Sequence, residues 1–566
     1  MSVTTPVPAT APPDQPRPGR APRDEGQWAL GSTEPLNANE RLKADDDGLN
    51  VRARVEEVYA REGFASITPE DLNGRLRWWG LYTQRRPGIP GGRTASLEPH
   101  ELSDEYFLLR VRSDGGALSL AQLRAVAHVS TTYARDTADI TDRQNIQLHW
   151  IRIEDVPAVW EALESVGLTT AEACGDTPRV ILGSPVAGVA ADELLDGTPA
   201  IEEIVGRYVG DPSLSNLPRK FKTAISGSPH QDVAHEVNDL SFVGVVHPDL
   251  GPGFDVFVGG GLSTNPRFAE RLGAFVPLED VPEVWHAVVR LFRDYGYRRL
   301  RTKARLKFLV ADWGIERFRD VLETEYLHRP LLDGPAPAEP PERRDHVGVH
   351  PQRDGRFYVG AAPLVGRVSG STLTALADLA ASVGSDRVRL TAQQKLLVLD
   401  VPGDRVAQLT DGLRSLGLDP EPSEFRRGTM ACTGLEYCKL AISETKGTAA
   451  RAVAELEERL PDFRHPLSLH VNGCPNSCAR IQVADIGLKG QLVTDADGNQ
   501  VEGFQVHLGG ELGPEDHLGR KPRGLKVTGD QLPAYVERLA RRFEDQRADD
   551  ESFASWARRA DEGDLA

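Results

Sequence analysis

The chain is poor in cysteine and lacks any long hydrophobic run. Only five of its 566 residues are cysteines, too few for the disulfide framework that holds small secreted domains together. No stretch of about 18 apolar residues occurs, which argues against a membrane-spanning helix. The N-terminus also lacks the basic and then apolar pattern of a secretory signal. We therefore expect a cytoplasmic protein without a membrane partner.

An excess of positive charge is also missing. The formal net charge is −18, whereas nucleic-acid-binding domains are usually basic, so no nucleic-acid partner is expected. Charged residues make up 27% of the chain and hydrophobic residues 40%, which is ordinary for a globular protein. At roughly 150 residues per domain, the length predicts three or four compact units.

Two proline-rich passages divide the sequence. Residues 1–45 are rich in proline and poor in large apolar side chains, so we expect disorder because little surface could be buried. The passage 333–344 indicates a linker between two halves. Each half shows a small-residue turn, a helix-like stretch and an alternating strand in the same order. Alternating helices and strands are common, but the shared order favours a duplicated α+β unit with a site in the crevice between the halves.

Four of the five cysteines lie within 47 residues. Cys432 and Cys438 form one pair, and Cys474 and Cys478 form a second pair after 35 further residues. Two pairs on separate loops can supply four thiolates to a metal ion or an iron–sulfur cluster. The five-residue spacing of the first pair fits structural zinc poorly, whereas Gly, Pro and Asn in NGCPNSC allow sharp turns that aim N–H groups at sulfur. The pattern favours a cluster, with structural zinc as the alternative.

The segments MACTGLEYCKLAISETK and HVNGCPNSCARIQVADIGLKG resemble the paired signature of the siroheme and 4Fe–4S nitrite and sulfite reductase family. The resemblance extends over the chain from about residue 70. It implies that siroheme and a 4Fe–4S cluster are the cofactors and that four cysteines ligate the cluster: Cys432, Cys438, Cys474 and Cys478. It also implies that Cys478 bridges to the siroheme iron.

The same resemblance implies a three-domain α+β fold with an internal pseudo-twofold repeat. Two ferredoxin-like half-domains would form one domain, at 70–170 and 345–425. Two larger α/β half-domains would form the others, at 171–332 with siroheme and substrate, and at 426–566 with the cluster and the siroheme ligand.

Basic and amide side chains are concentrated in the first half. Siroheme has eight carboxylates and the substrate is an anion, so a site for both needs fixed cations and N–H donors. The resemblance implies that four basic residues line the distal face of siroheme and hold the substrate: Arg110, Arg179, Lys220 and Lys222. It implies that a second segment contacts siroheme through Arg143, Gln144, Asn145 and His149. Strand alternation would put Lys220 and Lys222 on one face, where they repel each other unless an anion lies between them.

The Lys220-x-Lys222 pattern bears on the substrate. Sulfite reductases of the family typically have Lys-x-Lys here, whereas plant-type nitrite reductases tend to have Asn at the second position. A second ammonium group suits a pyramidal anion with three oxygens better than bent nitrite. The resemblance therefore favours an assimilatory sulfite reductase that reduces sulfite to sulfide with six electrons. Reduction of nitrite to ammonia is the alternative.

The fifth cysteine, Cys174, lies in EACGD, and Tyr82 lies in RWWGLYTQRRPG. Both segments resemble actinobacterial-type sulfite reductases, in which this Tyr and this Cys are joined by a thioether beside siroheme. Such a bond would immobilise the phenol next to the substrate. The alternative is a small buried core cysteine, the usual fate of a free thiol.

Nothing in the sequence indicates a flavin or nicotinamide domain. The glycines of VFVGGGLSTNP lack G-x-G-x-x-G spacing. Electrons must then arrive singly from a separate carrier, and the resemblance implies reduced ferredoxin. Ferredoxins are usually acidic, as is this chain, so docking must use local basic patches, for which 295–307 and 520–526 are candidates. We expect the enzyme to be a monomer.

Overall fold

The computed structural model describes residues 37–340, 345–495, 497–513 and 516–566. The strands in these ranges are β1 (Leu81–Arg85), β2 (Ser103–Val111), β3 (Ala117–Ser119), β4 (Ala138–Ile140), β5 (Ile146–Ile151), β6 (Leu182–Gly183), β7 (Thr223–Ser226), β8 (Leu240–His247), β9 (Gly251–Val258), β10 (Glu270–Val276), β11 (Leu332–Asp333), β12 (Gly348–Pro351), β13 (Phe357–Ala361), β14 (Arg367–Val368), β15 (Arg387–Leu390), β16 (Leu396–Val401), β17 (Thr429–Ala431), β18 (Leu469–Asn472), β19 (Ile486–Thr494), β20 (Gln500–Leu508) and β21 (Lys526–Thr528).

The helices are α1 (Ala38–Asp45), α2 (Val51–Arg54), α3 (Ala60–Glu62), α4 (Pro69–Asn73), α5 (Pro99–Leu102), α6 (Leu120–Tyr133), α7 (Val156–Glu164), α8 (Thr198–Tyr208), α9 (Val281–Tyr295), α10 (Leu306–Trp313), α11 (Ile315–Val321), α12 (Gly370–Ser382), α13 (Val406–Ser415), α14 (Glu424–Gly428), α15 (Lys446–Arg459), α16 (Leu532–Gln546), α17 (Phe553–Arg559) and α18 (Glu562–Leu565). None of the described helices is long and apolar enough to cross a membrane.

Two five-stranded antiparallel sheets exchange their edge strands. Their strand orders are β1-β2-β5-β4-β14 and β12-β13-β16-β15-β3. Strand β14 comes from the second half of the chain and β3 from the first, so each half completes the other's sheet. In this exchange Arg367 lies opposite Asp139, and Ala117 lies opposite Arg389. The two sheets and helices α6 and α12 share one hydrophobic core, which holds the halves in a fixed relation.

The other two sheets repeat one topology. One has the order β11-β10-β9-β8-β7-β6 and the other β17-β18-β19-β20-β21. In each, three parallel strands come first in the chain and antiparallel strands follow. Helix α9 packs on the first sheet with Trp285 and Phe292, and α16 packs on the second with Leu539 and Phe543. The duplicated α+β architecture expected from the sequence is therefore present.

One boundary of the sequence prediction is wrong. Disorder was predicted for residues 1–45, but α1 is a helix with buried Glu40 and Lys43. The Lys43 ammonium lies 2.7 Å from the Glu40 carboxylate and 3.4 Å from that of Asp176. Charged contacts hold this helix to the body, and a composition argument based on apolar burial does not detect them. Residues 1–36 lie outside the described residues.

The boundaries between half-domains remain a prediction. The predicted linker 333–344 begins inside β11, and its last four residues lie outside the described ranges. Because β3 and β14 cross between the ferredoxin-like sheets, no single cut in the chain separates one sheet from the other.

Candidate functional site

The four clustered cysteines lie on two loops at one sheet edge. Cys432 directly follows β17, and Cys474 lies two residues after β18. These two strands are parallel neighbours, so their carboxyl ends, and the loops that follow, meet at the same edge. Gly434 in the first loop has a φ of +68°, and a Cβ there would lie 2.1 Å from the Thr445 hydroxyl oxygen. Only glycine fits this turn, which brings the two loops together.

The surroundings of the four thiols suit metal-bound thiolates. The Gly473 N–H donates to the Cys432 sulfur at 3.3 Å. Burial, with the nearby Cys478 and Cys438 contributing, raises the pKa of the Cys432 thiol to about 12. Burial likewise raises the pKa of Cys438 and of Cys474, again with neighbouring cysteines contributing. To ionise, these three thiols require a strongly cationic centre beside them.

The four thiols are neighbours, but they do not form a single-ion site. Among the described residues, no three Cys, His, Asp or Glu side chains lie close enough to hold one metal ion. A donor set of four cysteines on two loops is the usual ligand set of a 4Fe–4S cluster.

A cavity of about 240 Å³ adjoins the second cysteine loop through Asn476 and Ser477. Its one acidic lining residue is Asp142. Eight cationic residues line it: Arg143, Arg219, Lys220, Lys222, Arg301, Arg305, Lys307 and Arg480. In a chain of net charge −18, this concentration of cations makes a site for an anion or for a strongly anionic cofactor.

Lys220 and Lys222, which precede and follow Phe221 in the sequence, both line this cavity. Phe221 is fully buried in the core and bridges to Pro178, so the two lysines both line the cavity. Strand β7 begins only at Thr223, so Lys220 and Lys222 lie before the strand and not within it as predicted. Their side chains nevertheless share one side, as the predicted alternation requires. Burial lowers the pKa of Lys220, and the neighbouring Lys222 lowers it further. Burial also lowers the pKa of Lys222 to about 7, with Arg143 contributing.

Tyr82, Cys174, Arg110 and Arg179 lie together. Cys174 is fully buried, and the Arg179 guanidinium holds its loop by donating to the carbonyls of Ala173 at 3.2 Å and of Gly175 at 2.7 Å. Burial, with the nearby Cys174 contributing, raises the pKa of Tyr82 to about 12. Burial lowers the Arg110 pKa, but negative charge at Cys174, Tyr82 and Cys478 outweighs this effect and raises it overall. These residues therefore adjoin the cysteine loops.

Comparisons with known proteins identify the family. The model described as nitrite and sulphite reductase 4Fe-4S domain matches residues 174–331 and 423–560, and the nitrite/sulfite reductase ferredoxin-like half domain matches 100–166 and 350–416. This chain belongs to the nitrite and sulfite reductase family. Each family model matches twice, as the internal repeat requires.

Relatives extend over almost the whole chain. A Mycolicibacterium paratuberculosis protein named sulfite reductase (ferredoxin) 2 is 59% identical over 553 residues, which cover 97% of this chain and 99% of the relative. The solved structure of the Mycobacterium tuberculosis NirA protein has a TM-score of 0.93 at 58% identity and covers 96% of this chain and 100% of that chain. A ferredoxin–nitrite reductase of Synechococcus elongatus is 39% identical over 519 residues, covering 90% of this chain and 97% of the relative.

The family implies siroheme and a 4Fe–4S cluster as cofactors, and the site residues fit both. Among the buried polar atoms without a hydrogen-bond partner in the described part of the chain, three belong to residues predicted for this site, namely Arg110 Nε, Arg143 Nε and Asn145 Oδ1. Unpartnered buried polar atoms are rare in native proteins. Two of these three atoms belong to arginines. Together with the cations that line the cavity, they suit a polycarboxylate group such as siroheme.

Two residues predicted to contact siroheme have other partners. The Gln144 amide donates to the carbonyls of Gly183 and Leu390 at 2.8 and 2.9 Å. His149 Nε2 lies 3.1 Å from the Asp139 carboxylate, and its ring stacks on Tyr437 at 3.8 Å. Neither lines the cavity. The siroheme contact of Gln144 and His149 therefore stays a prediction, although neighbouring backbone and the Asp139 carboxylate engage these side chains.

The sequence analysis did not assign several of the cations that line the cationic cavity to the site. Arg301, Arg305 and Lys307 belong to the segment 295–307, which was interpreted as a docking patch. Instead, Arg305 pairs with the Asp239 carboxylate at 2.7 Å, and the Lys307 ammonium donates to buried backbone carbonyls. Docking on this segment stays a prediction, although these side chains turn toward carboxylates and the cavity. The density of basic residues was the available signal.

Proposed function

We propose that this chain is a ferredoxin-dependent sulfite reductase that reduces sulfite to sulfide in sulfur assimilation. The observation that most supports this proposal is that Lys220 and Lys222 both line a cationic cavity beside the loop of Cys478. The relatives that share 58–59% identity are named sulfite reductase (ferredoxin), whereas those named nitrite reductase share 34–39%. Sulfur passes from +4 to −2, so the reaction needs six electrons, and protons to release three oxygens as water.

In this proposal four cysteines hold the 4Fe–4S cluster: Cys432, Cys438, Cys474 and Cys478. Cys478 would also ligate the siroheme iron, and the bound pair of cofactors supplies single-electron transfer to sulfite. The loop N–H groups, such as that of Gly473, donate to the sulfurs and thereby stabilise the thiolate form.

The basic residues bind sulfite and move protons. Cationic side chains around the oxyanion, Arg110, Arg143 and Lys220 among them, offset its charge through charge-assisted hydrogen bonds, which contribute roughly 1.5–3 kcal/mol each. Because burial lowers the Lys222 pKa to about 7, its ammonium can release a proton near neutral pH. Delivered to a sulfite oxygen, that proton turns a poor leaving group into water.

The deciding measurement is kcat/KM for sulfite and for nitrite with reduced ferredoxin, on protein with its iron and siroheme content determined. We expect a clear preference for sulfite. A preference for nitrite would contradict the proposal and support the alternative, a ferredoxin–nitrite reductase, which the Synechococcus relative favours.

Ferredoxin docking is assigned to a basic patch made of Lys489, Lys521, Arg523 and Lys526, which includes part of the predicted segment 520–526. Lys521, Arg523 and Lys526 are exposed, and positive charge at Lys521 and Lys526 adds to burial in lowering the pKa of Lys489. Lys489 pairs in the sheet with Asn472, two residues before Cys474. Adjacent strands are about 4.8 Å apart, so an acidic donor on this patch would lie close to the cluster loop.

The enzyme is further proposed to act as a monomer in the cytoplasm. A reducing compartment suits cysteines that form no disulfide in the described structure, four of them assigned to a cluster.

A further inference from the structure

Arg389 is a buried cation without a partner. Its side chain is 6% exposed, and within the described ranges its guanidinium makes neither a hydrogen bond nor an ion pair. Burial lowers the Arg389 pKa, yet an arginine stays charged in proteins. The carboxylates of Asp196, Asp400 and Glu193 lie near enough to oppose this effect, but none forms an ion pair with the guanidinium. Because a buried charge without a direct partner is unfavourable, we look for a partner outside the chain.

Arg389 lines a cavity of about 110 Å³ that shares no lining residue with the cationic cavity of the proposed active site. It lies between the outer face of the second ferredoxin-like sheet and the first α/β half-domain. Much of its lining is apolar or small, including Gly183, Ala187 and Ile201. Pockets for drug-sized ligands are roughly 300–1,000 Å³, so this cavity suits a ligand of a few atoms.

The internal repeat allows the surroundings of Arg389 to be compared with those of the equivalent residue in the other half of the chain. Arg389 in β15 corresponds to Asp139 in β4, because each stands at the same register in its sheet. Across from Asp139 lies Arg367, whose Nε donates to its carboxylate at 3.1 Å. Across from Arg389 lies Ala117, whose side chain is uncharged.

A second partner is missing in the same way. The Lys446 ammonium, on the first residue of α15, lies 3.4 Å from the Asp139 carboxylate. The corresponding helix α8 begins with Thr198, which lines the small cavity. The buried charge of one half is therefore compensated by two long cationic side chains. The other half has small residues at those positions, and the cavity occupies the space left.

Helix α8 adds a second feature suited to an anion. Gly197 and Thr198 line the cavity, so the N-terminus of this 11-residue helix faces it, and helix N-termini favour negative charge. The Thr198 N–H is itself taken by Asp196 at 2.8 Å.

Two carboxylates also line the cavity, those of Asp114 and Glu202. Both oxygens of Asp114 accept from Arg112, and one also accepts from the Ile181 N–H. Glu202 is exposed at the mouth. Neither pairs with Arg389 in the structure.

We propose that this cavity binds a small tetrahedral oxyanion, of the size of sulfate or phosphate, on the Arg389 guanidinium. The anion would take the place that a charged side chain occupies in the other half, and it would join the second ferredoxin-like sheet to the first α/β half-domain. The proposal is independent of the substrate of the enzyme.

The first test is crystallographic. Crystals of the holoenzyme are soaked in selenate, whose selenium gives an anomalous signal. We expect an anomalous peak beside Arg389 in the wild type and in the control variant Arg387→Gln, and no peak there in Arg389→Gln. Arg387 is a matched control because it lies on the same strand face, half-buried, and pairs with Asp400. No peak in the wild type at saturating selenate, or a peak that survives Arg389→Gln, would overturn the proposal.

The second test measures thermal unfolding of the holoenzyme as sulfate or phosphate, titrated separately, rises at constant ionic strength. At ten times Kd, binding favours the folded state about elevenfold. We expect a rise in Tm for wild type and Arg387→Gln that is smaller in Arg389→Gln and in Ala117→Glu. The latter places a carboxylate opposite Arg389. Without added anion, Arg389→Gln should be as stable as wild type or more so, because it removes an unpaired charge. Equal responses in all four proteins would refute the proposal.

Discussion

Replacing Lys222 by Asn tests the proposed chemistry most directly. The change removes a cation and a proton donor from the cavity but keeps a polar side chain. A charge-assisted hydrogen bond contributes roughly 1.5–3 kcal/mol, and each 1.4 kcal/mol is about tenfold in rate. The kcat/KM for sulfite should therefore fall about ten- to a hundredfold, while that for nitrite holds or rises.

The pH profile adds a second readout for Lys222. A group with a pKa of about 7 in the free enzyme donates a proton below that pH and cannot do so above it, so wild-type kcat/KM should decline as pH rises through about 7. Bisulfite and sulfite interconvert in the same pH range for both proteins, so in Lys222→Asn we expect this limb to become shallower.

Both Lys222 measurements need siroheme and iron contents equal to wild type. If activity on the two anions falls in equal proportion, Lys222 is not the residue that discriminates between them. If the limb near pH 7 is unchanged in the variant, Lys222 is not the proton donor.

Three further outcomes are expected. A tryptic digest should contain the Tyr82 and Cys174 peptides joined and two hydrogens lighter than their sum, and free alkylation of Cys174 in active enzyme would exclude this thioether. Lys526→Glu should raise the KM for ferredoxin and leave that for sulfite unchanged, with the exposed Lys303→Glu as a control that changes neither; equal effects would move docking elsewhere. Asp139→Asn should lower the free energy of unfolding by about 3–5 kcal/mol, because it leaves buried cations unpaired, and a loss under about 1 kcal/mol in a denaturant titration would show that the network is not needed.

Local sequence was enough to predict the parts of the site that lie in short segments. The cysteine pairs need only two loops at one sheet edge, and their glycines mark the turns, as Gly434 does. Lys220 and Lys222 share a cavity because an apolar residue between them enters the core. In both cases neighbouring residues decide which way a side chain points, so the pattern is readable without the fold.

Contacts between distant segments could not be predicted in this way. His149 turns to Asp139 and Tyr437, and Tyr437 comes from the other half of the chain. The run 295–307 looks like an exposed basic surface, but Arg301 pairs with Asp176 and other members face the cavity. A high density of basic residues in a sequence predicts a local concentration of positive charge, but it does not predict whether the side chains face solvent or a cavity.

The repeat also explains why a duplicated fold would build one cluster site rather than two. Because β7 and β18 pair in the same register with the strands that follow, Ser228 and Asp232 stand where the second half has Cys474 and Cys478. Asp232 is fully buried, and its carboxylate lies 2.9 Å from Nε2 of His346 and accepts from serine hydroxyls. A carboxylate so bonded is a structural link rather than a ligand for iron. One half thus holds its loop with hydrogen bonds and supplies most of the cavity's cations, and in the proposed function the other would supply the thiolates, so that a single site would form where the halves meet.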